Sequence, residues 1–361
     1  MKTGLSLQEM AAELERQKSQ KRDFLAPSSE LEMTAEIAPE IHDESETAHL
    51  QMRVNGHGSF DLTNTAHEQL SSRLGIPRKY YDRMSQYAPH LLVDNVNHWM
   101  KDQPEKRMVR TLDGKMRAFL SSRYRPLDNF ELAETVLPVL IGNGVRIESS
   151  ALTETRMYIK AVTDKITTEV RKGDVIQAGI VISNSEVGWG SVKVEPMIFR
   201  LVCLNGMIAP DYSMNKYHVG RNQGDSDLAT EFFRDETRRQ DDKAFWMKVR
   251  DVVSGSFRQD VFEKITRKLI ESTEKEIGGA PEKVIEVFTD KFQLAETEGS
   301  LILRHLIKGG DLTQYGLMNA VTRASQDVKE YDRATELERL GGQVIELSKS
   351  DWEQVANAEA N

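Results

Sequence analysis

The chain has 361 residues, of which 39% are hydrophobic and 29% charged, and its formal net charge is −9. This acidic balance argues against a protein that coats polyanions, so any nucleic-acid site must be a local basic patch. A single cysteine, Cys203, permits neither an internal disulfide nor a cysteine-based zinc site. We find no membrane-span pattern and no signal-peptide pattern, so we expect a cytoplasmic protein without membrane contact.

The first 48 residues are predicted to form a helix and an acidic arm. Ser6 and Glu9 have the S-x-x-E spacing of a capping box, and a thin apolar stripe follows over residues 7–22. Residues 24–48 contain seven acids, two prolines and no lysine or arginine. This composition favours an extended linker, with shielding of a basic surface as the alternative.

Residues 49–226 have the patterns of an α+β domain, in which helices pack on an antiparallel β-sheet. Alternating or β-rich runs predict strands at 50–54, 58–62, 108–112, 115–121, 146–150, 155–161, 175–183 and 192–201. Helical spacing predicts helices at 65–74, 78–86, 91–101 and 129–141. From residue 227 to residue 361 the pattern becomes charged and amphipathic, which predicts a mostly helical carboxyl-terminal region.

The most informative segment is the basic hairpin at residues 108–121. Asp113-Gly114 between two alternating runs is a strong signal for a type I′ turn. If these two residues form the loop, Arg110 lies opposite Arg117, and the period of two places both on one face with Phe119. Facing arginines repel each other, and a bound polyanion would offset that cost. Residues 106–125 contain seven basic residues and one acid.

A second strand repeats this composition, because Arg156, Tyr158 and Lys160 share one face in strict alternation. An exposed sheet face that carries cations and aromatic rings suits a single-stranded nucleic acid. The predicted contacts are Arg110, Lys115, Arg117, Phe119, Arg123, Tyr124, Arg125, Arg156, Tyr158, Lys160, Lys216, Tyr217, His218 and Arg221. The last four form the second wall of the predicted groove, or else an ordinary polar connector.

The segment N-S-E-V-G-W-G at residues 184–190 is rich in glycine but lacks the G-K-[ST] of a phosphate loop. It is either a plain loop between strands or a loop whose Trp189 stacks on a base or packs on a neighbouring subunit.

Signals for catalysis are weak. No H-x-x-x-H or H-E-x-x-H pattern is present, so we predict no catalytic residue, metal ligand or cofactor. One alternative is a metal-dependent nuclease whose carboxylates meet only in the fold. The acids considered for such a site are Glu148, Glu154, Glu169 and Glu186. Another alternative is an interaction protein that blocks a host factor such as a defence system, with the basic hairpin against an acidic partner.

Several strings resemble a family of phage- and plasmid-encoded proteins. They include V-R-T-L-D-G-K-M-R-A-F-L-S-S-R-Y-R-P-L-D-N, N-S-E-V-G, L-V-C-L-N-G-M and L-M-N-A-V-T-R. The resemblance runs from about residue 5 to residue 352 and transfers no catalytic residue. The predicted architecture is also similar to that of phage single-strand annealing proteins of the RecT, Redβ and Erf groups, which implies rings or filaments with a basic groove. We therefore expect a homo-oligomeric protein that binds single-stranded DNA and promotes annealing or recombination.

Overall fold

Two β-sheets and a carboxyl-terminal set of helices make up the part of the chain that the computed structural model describes, residues 1–36, 49–124, 126–209 and 235–358. The strands are β1 (Arg22–Pro27), β2 (Leu31–Glu36), β3 (His49–Val54), β4 (Gly58–Leu62), β5 (Lys106–Leu112), β6 (Lys115–Ser121), β7 (Arg146–Leu152), β8 (Met157–Glu169), β9 (Val175–Asn184), β10 (Lys193–Arg200) and β11 (Asn205–Ile208). The helices are α1 (Leu7–Gln20), α2 (Asn64–Arg73), α3 (Arg78–Tyr87), α4 (Pro89–Asp102), α5 (Asn129–Gly142), α6 (Asp235–Gly255), α7 (Gln259–Ser272), α8 (Pro281–Lys291), α9 (Glu296–Gly309), α10 (Gln314–Ala324), α11 (Tyr331–Ile345) and α12 (Lys349–Ala356). The predicted α+β class with a mostly helical carboxyl-terminal region is confirmed.

The first sheet has six strands in the order β1-β5-β6-β4-β3-β2 and is antiparallel except for a short parallel pairing of β4 with β6. Strands β1 and β2 lie at opposite edges, yet only the 3-10 turn Ser28–Glu30 joins them. Four Cα steps reach about 14 Å at most, so the sheet must curl strongly to bring its edges together. Apolar residues of this curled sheet share one core with α2, α3 and α4.

The prediction of an extended arm is wrong for residues 24–36, since they form most of β1 and all of β2. In β2 the buried Leu31 and Met33 alternate with Glu32 and Thr34, which are partly exposed. The acids that suggested a linker therefore occupy outward positions of a strand. Asn97 of α4 stabilises the free edge of β2, because its amide both accepts from the Met33 N–H at 2.7 Å and donates to the Met33 carbonyl at 2.9 Å. The rest of the arm, residues 37–48, lies outside the described residues.

The second sheet is antiparallel, with five strands in the order β11-β10-β9-β8-β7. On one face, Met157, Ile159 and Ala161 of β8 share a core with α1, α5 and α6. On the other face, Tyr158 and Val162 pack with residues that include Tyr331 of α11. Helices α7 to α12 enclose a core of their own that reaches this sheet through β9, β10 and β11. Within the described ranges, no helix combines the length and apolarity that a membrane span requires.

Candidate functional site

The basic hairpin turns at the predicted position but contains a bulge. Asp113 and Gly114 have φ angles of 52° and 73°, and Leu112 pairs with Lys115 as predicted. Beyond that pair the register shifts, so that Thr111 pairs with Met116 and Arg110 with Ala118. The prediction that Arg110 faces Arg117 is therefore wrong. Arg117 is the extra residue of a β-bulge, which reverses the in–out alternation on its strand.

Because of this bulge, Phe119 points to the core with Val109 and Met116 instead of sharing a face with the arginines. Its side chain is 1% exposed, and the Arg107 guanidinium lies 5.5 Å from its ring centroid. Phe119 is therefore unavailable as an exposed stacking ring, contrary to the prediction.

Arg110 is fully buried and takes part in a structural network rather than facing solvent. Its Nε and Nη2 atoms donate to Asp23 at 3.0 Å and Asp128 at 2.7 Å, and Nη1 donates to the Glu186 carbonyl at 2.8 Å. Burial alone would lower the pKa of Arg110, but Asp128 and Asp23 outweigh it and raise the pKa. These contacts join β1, β5, the start of α5 and the loop after β9.

Arg156, Tyr158 and Lys160 alternate as predicted, but α11 covers much of their face. Tyr158 is buried beside Tyr331, and Lys160 is buried with its Nζ 2.5 Å from Glu338 Oε2. The expectation that Tyr158 and Lys160 are exposed is wrong, because this face packs on a helix that lies far along the chain. Arg156, at the end of the sheet, stays partly exposed.

Two of the other predicted contacts, Arg123 and Tyr124, lie within the described residues. Arg123 is exposed, and Tyr124 is half-buried with its hydroxyl donating to the Ser185 carbonyl at 3.1 Å. Burial raises the pKa of Tyr124. The predictions for Arg125, Lys216, Tyr217, His218 and Arg221 lie outside the described residues.

The loop at residues 184–190 leads from β9 towards β10 in the second sheet and packs against β6 and α2, next to the first sheet. Asn184 donates to the Leu127 carbonyl at 2.8 Å, and the Val187 carbonyl accepts from Gln69 Nε2 at 2.6 Å. Gly188 has a φ of +84°, and a Cβ there would lie 2.6 Å from a Leu120 methyl group. A larger residue would be strained at this positive φ and would require the Leu120 side chain to shift, so the position favours glycine.

Glu186, in the middle of that loop, is a buried carboxylate with several charged and polar partners where the loop meets the first sheet, a region called the junction below. Its Oε2 accepts from Arg117 Nη1 at 2.6 Å, and its Oε1 accepts from the Asn129 N–H at 2.6 Å and from Lys21. Burial alone would raise the pKa of Glu186, but Arg117 and Lys21 outweigh it and lower the pKa to about 2. The carboxylate is thus ionised and held by partners from three separate parts of the chain.

A cleft of about 210 Å³ opens beside the junction, between the tip of the basic hairpin and the β7–β8 turn. Its walls include Lys115 and Arg117 from the hairpin, Arg156 from the turn, and the acids Asp113, Glu154 and Glu186. Two helices begin at the cleft, since Thr63 is the N-cap of α2 and Asn129 is the first residue of α5, and both residues line it. The positive ends of two helix dipoles therefore face it.

The carboxylates of the cleft are already engaged. Asp113 pairs with Arg16 at 2.7 Å, Glu186 pairs with Lys21 and Arg117, and Glu154 accepts from the Thr65 N–H at 2.8 Å. By contrast, Lys115 and Arg156 have no ion-pair partner among the described residues. Arg156 Nη2 donates to the carbonyl of Trp189, which is 39% exposed and lies two positions after the cleft residue Val187.

The four acids considered for a nuclease site do not converge. Glu154 and Glu186 line the cleft, whereas Glu148 pairs with Arg146 at 2.8 Å and Glu169 accepts from the Gly173 N–H at 3.3 Å. In the described part of the chain, no group of three or more histidine, cysteine, aspartate or glutamate side chains is arranged to hold a metal ion.

Sequence reasoning therefore found Lys115, Arg117 and Arg156 of the cleft but missed Lys21 and the central role of Glu186. Lys21 follows a helix and carries no recognisable pattern. Glu186 lies two residues before Gly188 in a segment between two predicted strands, which is a signal for a loop but not for a buried acid. That signal gives no partners, because they come from distant parts of the chain.

Comparison with protein families places the chain in a family described as a domain of unknown function, DUF932, whose model matches residues 118–352. The chain belongs to this family. The matched region begins within β6 and includes Arg156 and Glu186 of the cleft. Neither the curated proteins nor the solved structures include a match to this chain.

Proposed function

We propose that this protein binds single-stranded DNA in the cleft and promotes strand annealing or recombination on a phage or plasmid. The observation that carries the proposal is the pair of cleft cations, Lys115 and Arg156, which have no ion-pair partner among the described residues, together with the exposed Trp189, whose carbonyl accepts from Arg156. Unpaired cations attract phosphates, and an adjacent aromatic ring stacks on bases without sequence preference.

The proposed DNA-binding site is the cleft and not the flat sheet face that the sequence pattern suggests. Arg110, Phe119, Tyr158 and Lys160 are buried, so they are not available to contact a ligand. Trp189 takes the stacking role instead. Its backbone is held on both sides, because its N–H donates to Ser185 Oγ at 3.0 Å and its carbonyl accepts from Arg156. These two bonds fix the backbone from which the ring projects, so stacking costs less backbone entropy than it would on an unheld loop.

A single cleft contacts only a short stretch of a strand, so strong binding requires several subunits along the DNA. We propose that this protein forms a homo-oligomer through its helical carboxyl-terminal region. The salt dependence of binding would then reflect the phosphates neutralised by each subunit.

Replacing the two unpaired cations tests the electrostatic part of the proposal. Lys115→Gln with Arg156→Gln is expected to weaken binding to a labelled single strand and to reduce the slope of log K against log salt by about 1.4. Fluorescence anisotropy across a salt series measures both quantities. Lys283→Gln with Lys349→Gln, on α8 and α12 outside the cleft, removes the same charge and should leave the slope unchanged.

An unchanged slope in the cleft variant would contradict the site assignment. An absence of binding by the wild-type protein at low salt would contradict the function, and the search would move to a host protein partner.

Replacing Trp189 tests the stacking part of the proposal. Trp189→Ala is expected to weaken single-strand binding by about 1–3 kcal/mol, because one base loses its stacking surface. The salt slope should stay the same, since no charge is removed. Trp99→Ala is the matched control, because Trp99 on α4 is similarly exposed at 43% but lies outside the cleft. Equal effects of the two variants on binding would rule out a specific role for Trp189.

A further inference from the structure

Arg117 has one edge of its guanidinium unoccupied. The side chain is buried, with the residue 8% exposed, and only Nη1 is engaged, in the bond to Glu186. Its Nε and Nη2 atoms have no hydrogen-bond partner among the described residues. These two nitrogens donate in parallel from one side of the planar group, so together they fit two oxygens of one anion.

Other arginines of this chain show what that edge normally holds. Nε and Nη2 of Arg200 donate to the two oxygens of Asp174 at 2.6 and 2.7 Å. The same atoms of Arg333 donate to the two oxygens of Glu298 at 2.6 and 2.8 Å. In both cases a carboxylate of the chain fills the edge. In Arg117, by contrast, the edge is empty although the side chain is more buried than that of Arg200 or Arg333.

An unpaired buried guanidinium edge is costly unless a ligand completes it. Two features of the surroundings favour an anion: Arg117 lines the cleft, and Lys115 and Arg156 line it too. The planar donors of an arginine match two phosphate oxygens at once, and nearby cations add to the attraction.

The size of the cleft restricts which phosphate can enter. Its volume of about 210 Å³ is below the range of roughly 300–1,000 Å³ that is usual for small-molecule pockets. An internal phosphodiester carries a nucleotide on both sides, and both would have to leave the cleft again. A terminal phosphate monoester needs only one exit, and it carries more negative charge.

We propose that the free edge of Arg117 binds the terminal phosphate of a DNA strand, an inference that rests on the proposed function. The strand would leave the cleft over Trp189, with Lys115 and Arg156 beside the first phosphates. The protein would then recognise strand ends rather than track along a continuous strand.

The test compares single-stranded oligonucleotides of one sequence that carry a 5′-phosphate, a 3′-phosphate or hydroxyl groups at both ends. The wild-type protein is expected to bind one phosphorylated form at least about tenfold more tightly than the hydroxyl form. Arg117→Lys keeps the charge but has no parallel donors, so the ratio should fall to about one. Arg83→Lys, on an exposed part of α3, is the control and should keep the wild-type ratio.

Two measurements separate this inference from the proposed function. If the oligonucleotides bind but the wild-type protein shows no preference for a terminal phosphate, the inference is wrong while single-strand binding stands. A thermal-shift series with inorganic phosphate and a deoxynucleoside monophosphate tests whether Arg117 binds an anion even if no oligonucleotide binds. If no oligonucleotide binds, but these small anions stabilise the wild-type protein and not the Arg117→Lys variant, the anion site at Arg117 stands and the DNA function falls. If no probe binds, both are wrong.

Discussion

Glu186→Gln is expected to lower the free energy of unfolding by about 3–5 kcal/mol, because it leaves buried cations without their counter-charge. Arg117 and Lys21 both pair with this carboxylate, and their side chains are largely buried. Glutamine has nearly the same size, so the loss reflects charge rather than packing. Urea unfolding measures the change, and Glu282→Gln on the exposed surface of α8 serves as the control.

The same carboxylate predicts how stability depends on pH. Its pKa is about 2 in the folded protein, against an ordinary value of 4.5. Because the folded pKa is the lower one, Glu186 contributes stability that is complete above about pH 4.5 and is lost as the pH falls towards 2. The contribution is about 3 kcal/mol. The Glu186→Gln variant should therefore lose less stability than the wild type between these pH values. Parallel pH curves for the two proteins would contradict the assigned role of Glu186.

The features that could be predicted correctly are those that depend on residues adjacent in the sequence. The Asp113-Gly114 turn was predicted correctly, because positive φ angles at two adjacent positions require these residue types. The alternation of β8 was also correct, since Tyr158 and Ile159 do face opposite sides of their sheet.

The errors concern features that depend on distant parts of the chain. A bulge at Arg117 cannot be recognised from alternation alone, and it reverses every position beyond it. Lys160 reads as an exposed strand residue, but it is buried by α11, which begins at Tyr331. For the same reason, the predicted binding surface included buried residues. The sequence shows where cations and aromatic residues occur, but it does not show that α11 covers Tyr158 and Lys160.

The junction at Glu186 connects stability with the candidate site. Glu186 holds Arg117 by Nη1 only, which orients the guanidinium while Nε and Nη2 have no hydrogen-bond partner among the described residues. A variant that disturbs Glu186 should therefore affect both unfolding and ligand binding. For that reason the tests of single-strand binding rely on Lys115, Arg156 and Trp189, which carry none of the buried charge pairs, and the test of end recognition uses Arg117→Lys, which keeps the charge opposite Glu186.

The pair of Lys160 and Glu338 is expected to show the second large effect. Both side chains are fully buried, their charged atoms are 2.5 Å apart, and Glu338 Oε1 has no hydrogen-bond partner among the described residues. Lys160→Met should lower the free energy of unfolding by about 3–5 kcal/mol, because it leaves the Glu338 carboxylate buried and unpaired. Urea unfolding of the variant measures this loss.

A double-mutant cycle separates the value of the pair from the cost of breaking it. Lys160→Met combined with Glu338→Leu removes both charges together, and its stability should return to within about 1–2 kcal/mol of the wild type or exceed it. The control is Lys283→Met, which breaks an exposed pair with Glu286 and should cost less than about 1 kcal/mol. A double variant as unstable as the single one would mean that Lys160 supports the contact between β8 and α11 by packing. Recovery in the double variant would mean that the pair specifies how α11 docks on the sheet while adding little net stability.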